Sequence, residues 1–232
     1  LEETAWLLEL LIDDLRPVVL VGAMRPATAL SADGPLNLFQ AVQVALSPEA
    51  RGHGVLVVMD GQIHAAQGVT KVATQGVGSF ASPGYGPLGW VDDVGVHLPM
   101  ASGSRQVPFA GLDLPEQWPQ VPIVYGCVEP EPLVFNACLN AGVAGLVVTG
   151  TGAGQLSAGE RSVLQAWAGS RPLMLRANRC GLGPVHHHHE DERLGLLPAG
   201  RLNPQKARVL LMLALIAGLD RGVLAELVSA RP

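Results

Sequence analysis

The chain opens on a helical rhythm. Leu1, Ala5, Leu8, Leu11, Ile12 and Leu15 recur every three or four residues, with Glu2 and Glu3 where acids favour the positive end of a helix dipole. No residue precedes Leu1 to cap this helix, and neither an initiator Met nor a targeting segment is present, so the natural chain is expected to begin further upstream. Pro17 to Val21 is a continuous apolar run closed by Gly22, which predicts a parallel strand buried on both faces. A turn-rich segment from Met24 leads to a helix over Pro35 to Leu46, with Pro35 in its first turn where an N–H is not needed. Gly54 to Met59 reads as the next strand. The glycine-rich stretch from Gly61 to Gly89 is too long for a plain connector and predicts a functional loop or meandering β structure.

The periodicity dissolves between residues 97 and 120, where proline, glycine and polar residues predict a linker. Beyond it, Val121–Tyr125 predicts a strand, Pro132–Asn140 a helix ended by Gly142, and Gly145–Thr149 another strand. Ser157 and Glu160 have the spacing of a capping box, Leu173–Leu175 is a short strand, and Asn203-Pro204 opens an apolar helix through Leu219. Strand–helix alternation on both sides of the linker predicts α/β layers with mainly parallel sheets, in domains 1–96 and 121–232. The longest apolar run, Val209 to Leu219, is too short to span a bilayer.

Composition narrows the function. Hydrophobic residues make up 48% of the 232 and charged residues 15%, which fits a folded chain with a sizeable core. The net charge of −5, with no basic block, argues against nucleic acid or an anionic membrane as partner. Cys127, Cys138 and Cys180 form no C-x-x-C, so neither structural zinc nor a redox pair is expected, and Cys138 reads as a buried small hydrophobe. Reduced thiols tilt the expectation toward the cytoplasm, with the periplasm as the alternative.

Chemistry concentrates at few positions. Lysine occurs at only two of the 15 basic positions, and unlike arginine it can shed its proton. Lys71, in the glycine-rich stretch, is therefore the candidate general base partner or charge stabiliser, and Lys206, in a helix's first turn, reads as structural. Gly150 to Gly154 can present backbone N–H groups to an anion, yet it completes neither a dinucleotide fingerprint nor a P-loop. His186 to His189 followed by Glu190-Asp191-Glu192 suggests a metal. Adjacent histidines on a loop are expected to diverge and to lack supporting partners, so no metal site and no cofactor is assigned. His53, His64 and His97 stand near glycines and are expected at the surface or in turns. Ser31 to Pro35 reads as a turn in which Asp33 or Ser31 bonds backbone donors.

Six segments taken together resemble the bacterial-type L-asparaginase/glutaminase family: Leu1–Ala5, Val21-Gly-Ala-Met-Arg-Pro26, Ser31-Ala-Asp-Gly-Pro35, Val69-Thr-Lys71, Tyr85–Gly89 and Leu202-Asn-Pro-Gln-Lys-Ala-Arg208. The resemblance extends over essentially the whole chain. It implies a larger N-terminal α/β domain, truncated here at its front, a smaller C-terminal α/β domain, and a homotetramer whose sites are completed across subunits. It further implies hydrolysis of a side-chain amide, of asparagine or glutamine, to acid and ammonia through a threonine nucleophile and an acyl-enzyme. Lys71 matches the lysine of the supporting relay. Ala23 matches the residue whose backbone carbonyl accepts from the substrate amide, with Met24 beside it as the second substrate-binding position.

Departures from the family pattern are equally specific. The Thr-Gly-Gly-Thr segment of the nucleophile and the Gly-Thr-Asp-Thr of the relay, which belongs just before Leu1, do not occur in this sequence. These 232 residues alone are therefore expected to be catalytically incomplete. Ala153 stands where high-affinity relatives carry Asn, and His188 or Glu190 falls where a partner-subunit Glu contacts the substrate's amino group. The alternatives are a non-catalytic relative that binds an amino acid or partner protein, an amidohydrolase acting on a larger amide, and, resting only on Gly150 to Gly154, a nucleotide-binding module.

Overall fold

The computed structural model describes residues 1–101, 105–128, 132–167 and 169–230. The chain divides into two units, Leu1–Gly111 and Leu112–Pro232. Residues 102–104 of the expected linker lie outside the described residues.

In the first unit, α1 (Glu2–Leu11) buries Ala5, Trp6 and Leu10, and the helical rhythm stops short of Leu15, which is exposed. Two aspartates at 13 and 14 and the restriction that Pro17 places on Arg16 end it. Parallel strands β1 (Val18–Val21) and β2 (Val55–Met59) follow, with Val18 opposite Val55 and Val21 opposite Val58. Strand alternation sends Val18, Leu20, Val55, Val57 and Met59 to a cluster with Ala5 of α1. Val19, Val21, Leu56 and Val58 face Ala41 and Val44 of α2 (Gly34–Leu46) on the opposite side. Only β2 is buried throughout. β1 is half-buried along its length, because among the described residues it pairs on one side only.

The glycine-rich stretch is a β meander. β3 (Gln62–Ala65) turns back antiparallel on β2 at Asp60-Gly61, β6 (Gly89–Val91) pairs with β3, and β7 (Val96–His97) with β6. The sheet order is β1-β2-β3-β6-β7, so parallel pairing is confined to β1 and β2 and the rest of this α/β sheet is antiparallel. A hairpin of β4 (Thr70–Lys71) and β5 (Phe80–Ala81) stands apart from it. The unit extends past β7: the Arg105 guanidinium donates to Glu9 at 3.0 Å and to the Asp14 carbonyl at 3.1 Å.

The second unit carries a four-stranded parallel sheet, ordered β11 (Leu196–Pro198), β10 (Leu173–Asn178), β9 (Gly145–Gly150), β8 (Ile123–Tyr125). Phe135 and Leu139 of α3 (Pro132–Asn140) and Leu164 of α4 (Ala158–Ala166) pack with Leu146, Val148 and Met174 into one core. The capping box at α4 is present: Ser157 Oγ accepts from the Glu160 N–H at 3.1 Å, and Glu160 accepts from the Ser157 N–H at 2.8 Å. A short helical turn, α5 (Asp191–Leu194), precedes β11. α6 (Pro204–Ile216), capped by Asn203, is buried nearly all round from Val209 to Ala214, as a helix apolar on every face must be. The apolar rhythm through Leu219 breaks at Gly218, and Asp220 caps a further helix, α7 (Arg221–Ser229). No helix among the described residues is long and apolar enough to cross a membrane.

Candidate functional site

In an α/β sheet, ligands gather where parallel strands end. β1 ends at Val21 and runs into Gly22-Ala23-Met24-Arg25, and the Asp33 carboxylate fixes that turn. It accepts the Met24 N–H at 2.9 Å, the Arg25 N–H at 2.8 Å and the Asn37 amide at 3.0 Å. Asn37, buried on α2, also donates to the Gly22 carbonyl at 3.0 Å and accepts the Asp60 N–H at 3.1 Å, so one amide joins the ends of β1 and β2. Partial burial pushes the Asp33 carboxyl up. The donors from Met24, Arg25, its own N–H and Asn37 outweigh burial and hold it below the usual carboxylate range. The expected turn at Ser31–Pro35 is therefore present, with Asp33 as its acceptor. Ser31 takes a left-handed φ of 54°, and its carbonyl accepts from Arg25 at 2.8 Å.

Lys71 is exposed on β4, paired with Phe80, and its Nζ lies 5.7 Å from the centre of the Phe80 ring. Its backbone N–H reaches Glu2 Oε1, in the first turn of α1, at 3.5 Å. Phe80 and Met24 pack against the same apolar cluster. Lys71, the Met24 turn and the start of α1 therefore share one side of the sheet. Ala23 is exposed.

The expectation for His64 fails. It is fully buried on β3, where its Nδ1 lies 2.9 Å from Ser82 Oγ and its Nε2 has no partner among the described residues. Burial pushes its pKa down to about 4, so the imidazole is neutral. His97 is half-buried, stacked on Trp90 and 3.0 Å from Asp92.

In the second unit, the glycine turn follows β9 as expected, and its geometry is set by an arginine that the sequence did not single out. Arg176 is buried on β10 and forms a bidentate pair with buried Asp191, both contacts at 2.8 Å. The same guanidinium donates to the carbonyls of Ala153 at 3.1 Å, Gly154 at 3.3 Å and His186 at 2.8 Å. Gly154 has φ 85°, and a Cβ there would stand 2.9 Å from the Arg176 Nη1, so only glycine fits. Asp191 also accepts the His188 N–H at 2.8 Å. The imidazoles of His188 and His189 converge, with centroids 4.1 Å apart. Adjacent histidines were expected to diverge. The clamp holds the backbone on the N-terminal side of the pair, at His186 and at His188.

Profiles of two domain families match the chain: "Asparaginase, N-terminal" over residues 1–102 and "Glutaminase/Asparaginase C-terminal domain" over 120–227. A probable periplasmic L-asparaginase of Haemophilus influenzae is 40% identical over 231 residues, covering 97% of this chain and 66% of that protein. A glutaminase-asparaginase of Acinetobacter glutaminasificans is 37% identical, covering 93% and 67%. The crystal structure of a probable cytoplasmic L-asparaginase from Campylobacter jejuni superposes with a TM-score of 0.91 at 38% identity, over 98% of this chain and 74% of that one. The chain belongs to the asparaginase/glutaminase family.

The chain spans about two thirds of the length of these curated asparaginase relatives. Within the asparaginase fold, Ala23 and Met24 lie on one turn and Lys71 on the separate β4–β5 hairpin, joined through the apolar cluster under Met24 and Phe80. Asp33, expected to bond backbone donors within its turn, does so for Met24 and Arg25, and Asn37, which the sequence reading passed over, ties that turn to the ends of β1 and β2. Cys127, Cys138 and Cys180 are all free, with Cys138 half-buried on α3 and its thiol pushed up by burial.

Proposed function

We propose that the protein is an amidohydrolase that converts L-asparagine, and L-glutamine in comparison, to the acid and ammonia, through a threonine nucleophile that no segment of these 232 residues matches. Lys71 carries this reading. Its backbone is hydrogen-bonded to Glu2 at the start of α1, beside the position where the resemblance puts the relay threonine and aspartate, and Met24 packs on the same cluster as the Phe80 beneath its amine. An amine there supplies positive charge or takes a proton as the nucleophile attacks. The Ala23 carbonyl, on the turn fixed by Asp33, accepts from the substrate amide. Water then opens the acyl-enzyme, so the balance is one amide and one water giving one acid and one ammonia.

The test is ammonia release from asparagine and from glutamine by the full-length protein, with Lys71→Met beside it. Loss of about a hundredfold or more in kcat with little change in unfolding midpoint is expected. Full activity in that variant would end the assignment of Lys71, and absence of release with either amide would end the reading as an enzyme. Ala153, whose methyl offers no amide where high-affinity relatives carry Asn, favours one second reading: a relative that binds aspartate without turnover, which calorimetry would show as binding without ammonia. A homotetramer, measurable by light scattering, and a cytoplasmic location complete the proposal. The location is supported by three free thiols and by the likeness to a cytoplasmic relative.

A further inference from the structure

The histidine run is held more firmly than a surface loop requires. Arg176 donates to the His186 carbonyl at one end, and Asp191 accepts the His188 N–H at 2.8 Å while its own N–H donates to the His188 carbonyl at 2.9 Å. Both anchoring side chains are buried and locked to each other. The chain between them curls so that a ring nitrogen of His188, a ring nitrogen of His189 and a carboxylate oxygen of Glu190 all lie within 4.8 Å of one another. His186 and His187 are exposed and outside this group.

Such a set suits a borderline divalent ion. Imidazole nitrogens bind zinc at about 2.0–2.1 Å and carboxylate oxygens at about 2.0–2.2 Å, so three ligands of one tetrahedron stand roughly 3.4 Å apart. The observed separations, within 4.8 Å, exceed that spacing by no more than about 1.4 Å. Two of the three ligands are oriented by neighbours. Arg193 holds Glu190 Oε1 at 2.5 Å and orients the carboxylate, and the buried Arg176–Asp191 pair orients His188 through its backbone. The Glu190 N–H reaches His188 Nδ1 only at 3.4 Å, a long contact that an ion readily displaces.

We propose that His188, His189 and Glu190 form a binding site for a zinc- or nickel-class divalent cation, with a fourth position left to water or an exogenous ligand. The ligands include none of Ala23, Met24 or Lys71, but His188 or Glu190 falls where the resemblance puts a partner-subunit contact to the substrate, so the site is tested by metal binding and not by ammonia release.

Calorimetric titration of the full-length protein with zinc chloride tests it, using His186→Ala, His187→Ala, His188→Ala, His189→Ala and Glu190→Gln. The site predicts one ion per chain, with affinity reduced about tenfold or more in His188→Ala, His189→Ala and Glu190→Gln, and less than about twofold in His186→Ala and His187→Ala. Nitrogen-15 shifts of the imidazoles in the unmodified protein give a second readout: zinc moves His188 and His189 and leaves His186 and His187 in place. Equal losses across all four alanine variants would show a generic polyhistidine chelator and overturn the site, as would no binding at micromolar zinc.

Discussion

His64 makes the first unit acid-sensitive in a way that can be calculated. Its imidazole is fully buried, bonded at Nδ1 to Ser82, with Nε2 facing no acceptor among the described residues. Burial lowers its pKa from 6.5 to about 4, so the folded unit keeps it neutral where the unfolded chain protonates it. The unfolded state binds the extra proton, so stability is fully present above about pH 6.5 and is lost as the pH falls toward about 4. Between about pH 7 and about pH 5 that linkage costs about 2 kcal/mol, rising to about 3 kcal/mol below pH 4, a large part of a domain's usual margin. Urea unfolding at the two pH values, followed by tryptophan emission with buried Trp6 as the reporter in this unit, measures the loss. His64→Asn removes the titrating group and subtracts every other acid effect. Its pH slope should be shallower by about 2 kcal/mol over that interval. Equal slopes in the two proteins, or an NMR titration of His64 centred near 6.5, would refute the reasoning.

Three further outcomes follow from contacts described above. Asp33→Ala leaves the Met24 and Arg25 N–H groups without their acceptor and should cost about 1–3 kcal/mol in urea unfolding, while raising KM for asparagine more than it lowers kcat. Arg176→Met strands buried Asp191 and should cost about 3–5 kcal/mol, whereas Arg176→Met with Asp191→Leu should recover much of that loss in thermal unfolding. A Cβ at Gly150 would run into the Gly154 backbone, so Gly150→Ala should open the turn and lower the unfolding midpoint, whereas Ala153→Ser, on an exposed position of the same turn, should change it little.

Local chemistry made much of the fold legible. Pro35 and the Asn203-Pro204 pair marked helix starts because their preferred conformations are set by one or two residues, and the Ser157–Glu160 box sits at its helix N-terminus. What escaped depended on distant parts of the chain. Meandering β structure was one of two readings of 61–89, but which strands pair was not legible because short strands do not advertise their partners. His64, judged from the glycines near it, lies on the other face of β3 from buried Ile63. That face is also covered. The convergence of His188 and His189 was illegible for the same reason: the backbone before them is clamped from Arg176, some ten residues upstream, and the neighbouring histidines carry no sign of it.

Arg176 has a consequence for anyone altering this protein. Its single guanidinium spans the glycine turn at Ala153-Gly154 and the loop from His186 to Asp191, so neither loop has a resting position of its own. A substitution that retunes one will be transmitted to the other through a rigid planar fork, and lysine, with a single point charge, cannot inherit the connection. Variants in the two loops should therefore be designed and scored as one element, because their effects will not add.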